Sequence, residues 1–244
     1  MNPLNSRGTL FGVGVGPGDP ELLTLKAVRV LRSVERIYYP LSGSNSGGFA
    51  RQILAPLELP DEKFREAPIG MSRDRTAAAH DYRRAAEEIA AELMAGGSAA
   101  WITEGDPLFY STFLYVAEEV RRIDPNIQIQ VVPGVTSIQA AAAATGFSLV
   151  RLAEPLAVVP AAYGLDHLPR LLHDFATIAL LKVNSVFDRL LDELAVAGLG
   201  VQTVYVEHVG TPQQRIVTEL ESLRGEKLPY FSLVLVRRPA ETTV

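Results

Sequence analysis

Three short stretches carry the residue types that could do chemistry. The first, Gly12-Val13-Gly14-Val15-Gly16-Pro17-Gly18-Asp19-Pro20, follows an apolar run and precedes a helical pattern. The second, Thr103-Glu104-Gly105-Asp106-Pro107-Leu108-Phe109-Tyr110-Ser111-Thr112, does the same and repeats Gly-Asp-Pro. The third is Val132-Pro133-Gly134-Val135-Thr136-Ser137. Loops at the carboxyl ends of strands in an open α/β sheet are where ligands bind. Glycines there permit positive φ and let a ligand approach the backbone closely. Glu104 and Asp106 are acids at a strand end, suited to moving a proton. Thr136 and Ser137 offer hydroxyls and the free N–H groups of a helix start. A structural duty competes with each reading: Asp19 and Asp106 can cap the helices that follow them, with Pro20 at a first helical position.

Several other chemistries are excluded. A dinucleotide fingerprint would need glycine where Pro17 or Asp19 stands, and no Gly-Lys-Ser/Thr follows, so neither a Rossmann loop nor a P-loop is present. No Gly-x-Ser-x-Gly elbow exists. His80, His167, His173 and His208 have no metal-ligand spacing, so no metal is expected. The chain has no cysteine, which removes disulfides, thiolate metal sites and a cysteine nucleophile. Arg29, Arg32, Arg36, Arg51, Arg73 and Arg75 are available to meet carboxylates.

The elements that must position these stretches alternate along the chain. Thr9–Val15, Arg36–Tyr39, Ala99–Thr103 and Ile127–Val132 read as strands. Between them, helices are expected at Pro20–Ser33, Thr76–Met94 and Ser111–Arg122, with another at Thr136–Ala144. Such alternation means parallel strands with crossover helices. The rhythm pauses at Gly146–Pro155 and restarts. Leu156–Val159, Thr177–Val183, Thr203–His208 and Ser232–Val236 are further strands, with helices at Leu168–Phe175 and Ser185–Ala197. Gln214–Thr218 and Phe231–Arg237 are expected to pair antiparallel. Ser42–Gly48 reads as a mobile loop. The domain boundary is placed near residue 150, giving an N-terminal α/β domain over 1–150 and a C-terminal α/β domain over 151–244.

Length and composition suit one large domain or two modest ones. The chain has 244 residues, 48% of them hydrophobic, enough for a sizeable core. Its net charge of −5 argues against a nucleic-acid partner. The balance is −2 over residues 1–115 and −3 over 116–244, so an anionic ligand must be held by local arginines and not by a global field. No run of about 18 apolar residues suggests a membrane helix. Met1–Arg7 lacks the pattern of a signal peptide. A soluble, cytoplasmic protein with no membrane partner is expected.

Taken together, the stretches resemble the tetrapyrrole (corrin and porphyrin) methylase family. GVGVGPGDPELLTLK from Gly12 is similar to its opening signature and EGDPLFYST from Glu104 to its second. VPGVTSIQAAAAATG from Val132 is similar to its third, and VEHVGTPQQR from Val206 to a later glycine loop. The similarity runs in order from about Gly8 to Val236. Tyr38-Tyr39-Pro40, FYSTF from Phe109 and EHVGTPQQ from Glu207 resemble the members that methylate carbon-20 of precorrin-2. Whether the ring is metal-free or carries cobalt is left open. A protein methyltransferase akin to diphthine synthase and a non-catalytic tetrapyrrole carrier are the alternatives.

The resemblance implies two α/β domains with an active-site cleft between them, usually in a homodimer. It implies S-adenosylmethionine as cofactor and a tetrapyrrole as substrate. By motif position, Pro17, Glu104, Gly105, Asp106, Phe109, Tyr110, Thr136, Ser137, Lys182, Val183 and Gly210 frame the cofactor. Gly16 and Asp19, with Tyr39, Arg51 and Arg73, face the substrate. Asp106 is the first candidate for the proton acceptor, ahead of Glu104 and Tyr110.

Overall fold

In the computed structural model, residues 7–41, 48–70, 75–197 and 200–238 are described. Met1–Ser6, Arg73 and residues 42–47 of the Ser42–Gly48 stretch lie outside them. Backbone packing divides the chain into Met1–Thr136 and Ser137–Val244. This division falls one helix before residue 150, because Ser137–Thr145 packs on the last strand of the second unit.

The first unit runs β1 (Thr9–Gly14), α1 (Leu25–Ser33), β2 (Arg36–Leu41), α2 (Phe49–Ile53), β3 (Phe64–Pro68), α3 (Arg75–Met94), β4 (Ala99–Thr103), α4 (Phe113–Ile123) and β5 (Gln128–Val132). Its five strands lie in the order β3-β2-β4-β1-β5, and every pairing is parallel. Alternate residues of the strands feed two cores. Leu10, Tyr38, Ala99 and Trp101 face α3 and α4. Val13, Ile37, Tyr39, Ala100 and Ile102 face α1 and α2. Both faces of the sheet are therefore covered, which is why Ala99–Thr103 is a continuous buried run.

The expected helix from Pro20 to Ser33 is broken. Pro20–Leu22 is a short 3-10 turn, and Asp19 caps only that turn, accepting from Glu21 N at 2.8 Å. Leu23 is extended, and α1 starts after Thr24, whose hydroxyl accepts from Ala27 N at 3.1 Å. The buried face is Ala27, Val30 and Leu31, while Leu25 is 91% exposed. The i+3 leucine pattern thus mimicked a helix across a turn that threonine interrupts.

The second unit contains α5 (Ser137–Thr145), β6 (Leu156–Pro160), α6 (Ala161–Gly164), α7 (Leu168–Asp174), β7 (Thr177–Leu181), α8 (Phe187–Ala197), β8 (Gln202–Glu207), β9 (Arg215–Val217) and β10 (Ser232–Arg237). Its strand order is β6-β7-β10-β8-β9. β6 and β7 are parallel, whereas β10 runs antiparallel to both β7 and β8. The expected β9–β10 pairing does not occur. β9 is antiparallel, but to β8; β10 fills the slot between β7 and β8 and has no free edge left for it.

Candidate active site

β4, β1 and β5 are adjacent and parallel, so the three glycine loops leave the same edge of the sheet side by side. They are joined through backbone. Val15 N donates to Thr103 O at 3.0 Å, and Gly105 N donates to Gly16 O at 2.8 Å. Gly16 (φ +81) and Gly105 (φ +64) adopt the left-handed conformation this requires. Gly14 and Gly134 serve a different need. A Cβ on Gly14 would lie 2.4 Å from Gly105 O, and one on Gly134 would lie 2.1 Å from the same oxygen. The three loops interlock with no room for a side chain between them.

Asp106 ties this knot. Its Oδ1 accepts from Leu108 N at 2.8 Å and its Oδ2 from Gly134 N at 3.1 Å. It does not cap α4, as it was expected to be able to do. The first N–H of that helix, on Phe113, donates to Ser111 Oγ at 3.1 Å, and Ser111 Oγ donates to Thr103 Oγ1 at 3.0 Å. Both carboxylate oxygens of Asp106 thus hold backbone N–H groups, one of its own loop and one of the third, which makes it a positioning group.

Glu104, directly after β4, is set apart by its desolvation. Burial pushes its pKa up, opposed by backbone N–H groups, including that of Ala50 in α2. A carboxyl group whose pKa is raised is a better general base. Tyr110 (φ +55) and Phe109 stand at the outer lip of the loop, 48% and 37% exposed, with ring centroids 5.0 Å apart. Gly16 and Pro17 are buried; Asp19, Thr136 and Ser137 are half-buried. Residues 12–19, 103–112 and 132–137 contain Asp19, Glu104 and Asp106 but no lysine, arginine or histidine. Such a donor set is wrong for a phosphate and fits a ligand with a positive centre, as the sulfonium of S-adenosylmethionine has.

Tyr39 and Arg51 are brought together next to this edge. Tyr39 is buried; its hydroxyl donates to Glu66 Oε1 at 2.9 Å and accepts from Arg51 NH1 at 3.3 Å. Burial is the main cause of the raised pKa of this tyrosine. The Arg51 guanidinium lies 4.6 Å from the Phe64 ring centre and donates to Asp61 Oδ1 at 2.7 Å. It lines an open pocket of about 470 Å³ with Gln52, Leu54, Asp61 and Phe64. The arginine expected to meet a substrate carboxylate therefore already holds one from its own chain. Arg73, named with it, lies outside the described residues.

In the second unit, Lys182 (φ +56) follows β7, and Val183 behind it is buried. Gly210 (φ +78) donates its N–H to Gln214 Oε1 at 2.8 Å. The sequence reading missed three residues that the geometry adds. Ala50 holds Glu104, and Tyr230 places its ring 5.6 Å from Lys182 Nζ. His208, after β8, is also a left-handed non-glycine (φ +48). A strand end followed by Gly-Thr-Pro was the signal at His208; Ala50 and Tyr230 carried none.

The family model described as Tetrapyrrole (Corrin/Porphyrin) Methylases matches residues 9–224. The precorrin-2 C(20)-methyltransferase of a Sinorhizobium species is 35% identical over 94% of this chain and 95% of its own length. The cobalamin biosynthesis protein CobIJ of Mycobacterium tuberculosis is 34% identical over 96% of this chain and 46% of its own length. The chain thus spans about half the length of that mycobacterial relative. The solved structure of cobalt precorrin-4 methyltransferase has the same fold, with a TM-score of 0.73 at 22% identity over 97% of this chain and 98% of that one.

Proposed function

Because the chain belongs to the tetrapyrrole methylase family, matched from residue 9 to residue 224, we propose that it is a C-methyltransferase that methylates carbon-20 of precorrin-2 and yields precorrin-3A for cobalamin synthesis. The observation that carries this reading is the 35% identity to the Sinorhizobium enzyme over nearly the full length of both chains. S-Adenosylmethionine, when bound, supplies a methyl group already activated by its positive sulfur. The chain's own residues then have three tasks.

The first is to bind and align, since holding the reacting carbon on line with the methyl group is the larger part of catalysis here. The interlocked loops at Gly14, Gly105 and Gly134 are rigid enough for that, with Pro17, Phe109 and Thr136, in the same unit, as the cofactor's surroundings. The second is electrostatic. Acids and backbone carbonyls, with no competing cation in the three loops, favour a positive ligand. The third is to take the proton that carbon-20 gives up. Glu104 is our choice, because burial raises its affinity for a proton while Asp106 is occupied as a tie. Tyr110, at the outer lip of the same loop, is the other candidate acceptor, and Gly16, Asp19 and Tyr39 belong to the substrate side.

The same reading makes the protein a cytoplasmic homodimer. Among the described residues no helix is long and apolar enough to cross a membrane; the dimer is checked by light scattering. The function is tested by binding S-adenosylhomocysteine, then assaying methyl transfer to metal-free and to cobalt-bearing precorrin-2 in parallel. Faster turnover of the metal-free ring is expected. A preference for the cobalt form would move the enzyme to the cobalt-first route. Tight cofactor binding with no turnover of either ring would overturn the proposal in favour of a protein substrate or a carrier.

A further inference from the structure

One pocket of the first unit shares no residue with the three glycine loops. Its lining residues all fall between Arg51 and Phe64, from α2 to the first residue of β3. β3 is the edge strand of its sheet, and β2 separates it from β4. The pocket, of about 470 Å³, is therefore built apart from the loops at Gly16, Gly105 and Gly134, by residues of one unit alone. Its walls are of two kinds. Leu54, Leu59 and Phe64 are apolar, and Arg51, Glu58 and Asp61 are charged. A space of this size with apolar walls and a few converging polar groups suits a small molecule.

Arg51 is the cation of this pocket. Its guanidinium lies 4.6 Å from the centre of the Phe64 ring. A guanidinium carries five N–H groups in a flat fork. NH1 donates to the Tyr39 hydroxyl at 3.3 Å and NH2 to Asp61 Oδ1 at 2.7 Å. Among the described residues no acceptor meets the other three. The two partners hold it unequally. Tyr39 is 1% exposed, and its own proton goes to Glu66 Oε1 at 2.9 Å, on the residue opposite it in β3. The lone pairs of its oxygen are thereby left for Arg51. The Asp61 carboxylate is 90% exposed, and an ion pair in that setting is weak. Glu58, in the pocket wall, has φ +50. Side-chain-bearing residues seldom take this conformation, and those that do gather where ligands are held.

We propose that this pocket is a carboxylate site in which Asp61 stands where a ligand's carboxylate binds, and in which Tyr39 is the positioning residue that aims Arg51. The ligand is a carboxylate on a short apolar arm, and it has two sources: a free small organic acid, or an acetate or propionate arm of the tetrapyrrole. Only the second source rests on the methyltransferase reading. The probe is 3,3,3-trifluoropropionate, titrated against the full chain and followed by fluorine NMR. Arg51→Met keeps the apolar stem over Phe64 and removes the fork. Arg51→Lys, which keeps the charge and loses the fork, replaces it if that variant does not fold. Tyr39→Phe removes only the hydroxyl, and the double variant closes the cycle.

Arg51→Met is expected to weaken the probe about tenfold or more and Tyr39→Phe about threefold. The double variant binds no more weakly than Arg51→Met alone, because a residue that acts through another has nothing to add once that one is gone. If the arm is the tetrapyrrole's, precorrin-2 displaces the probe, and KM for precorrin-2 rises about tenfold in Arg51→Met with kcat nearly constant. If the acid is a free one, precorrin-2 leaves the probe in place. A parent protein that does not bind trifluoropropionate, or a probe affinity unchanged in Arg51→Met, overturns the site. Losses that add in the double variant overturn the role of Tyr39. Absence of turnover on any tetrapyrrole would remove the methyltransferase reading alone, and the fluorine titrations would still decide on the pocket.

Discussion

Replacing Asp106 by asparagine keeps the size of the side chain and removes one of its two acceptor oxygens. Whichever way the amide turns, one N–H group now faces either Leu108 N or Gly134 N, which the carboxylate holds at 2.8 and 3.1 Å. A hydrogen bond to an ionised group contributes about 1.5–3 kcal/mol. The bond from Leu108 is exposed, so water replaces most of it; the one from Gly134 is part-buried. Asp106→Asn is therefore expected to cost about 2 kcal/mol, and Asp106→Ala about 3 kcal/mol. For a chain of this length the first corresponds to a Tm lowered by about 4–8 °C. The assay is a thermal melt with and without S-adenosylhomocysteine, set beside kcat/KM as a function of pH. With Asp106 as a tie, both variants melt earlier and bind S-adenosylhomocysteine more weakly. Asp106→Ala turns over at least tenfold more slowly, about 1.4 kcal/mol in the barrier, and the acid limb of the pH profile survives. An unchanged Tm with loss of the acid limb would refute this reasoning and make Asp106 the base. Unchanged kinetics would take it out of the mechanism.

Other outcomes follow from the same geometry. Glu104 binds a proton more tightly folded than unfolded, so its ionised form lowers stability as pH rises from the unfolded pKa through the folded one. Glu104→Gln should raise Tm at neutral pH, give no gain at a pH below the usual carboxylate range, and still lower kcat; a lower Tm at neutral pH would contradict the burial. In the parent enzyme the acid limb of kcat should fall above the usual carboxylate pKa of about 4.3 and vanish in Glu104→Gln, read from a pH–rate profile. Gly134→Ala forces a Cβ to within 2.1 Å of Gly105 O and should cost about 3 kcal/mol and abolish S-adenosylhomocysteine binding; calorimetric binding at the parent affinity would show the loops are not interlocked. Asp61→Ala removes a carboxylate that is 90% exposed, a change of less than about 1 kcal/mol in stability. It should lower KM for the tetrapyrrole by freeing Arg51, and a constant KM would exclude Arg51 from substrate binding.

The strands with two buried faces were legible because nothing but an uninterrupted apolar run fits there. β3 was missed for the converse reason. It pairs only with β2, at the sheet's edge, and Phe-Arg-Glu-Ala-Pro has no such run. α2 has five residues, too few to show a helical period. The three glycine loops were legible as a site because glycine, proline and acid recur at successive strand ends. The division of labour between their acids was not. Asp106 finds its second donor 28 residues away, at Gly134, and Glu104 owes its altered proton affinity to a desolvation that only tertiary packing creates. Likewise, nothing in the local spacing said that Arg51 would be taken by Asp61 and Tyr39.

The interlock of Gly14, Gly105 and Gly134 also limits how this sequence can drift. A cramped side chain in a protein core can usually be accommodated when a neighbour becomes smaller at a second position. Here the nearest neighbours of the absent Cβ atoms at Gly14 and Gly134 are all main-chain atoms of the other two loops. Main-chain atoms cannot be trimmed by mutation. A gain of even one methyl group at Gly14 or Gly134 thus has no suppressor at the other positions, and the only route back is reversion.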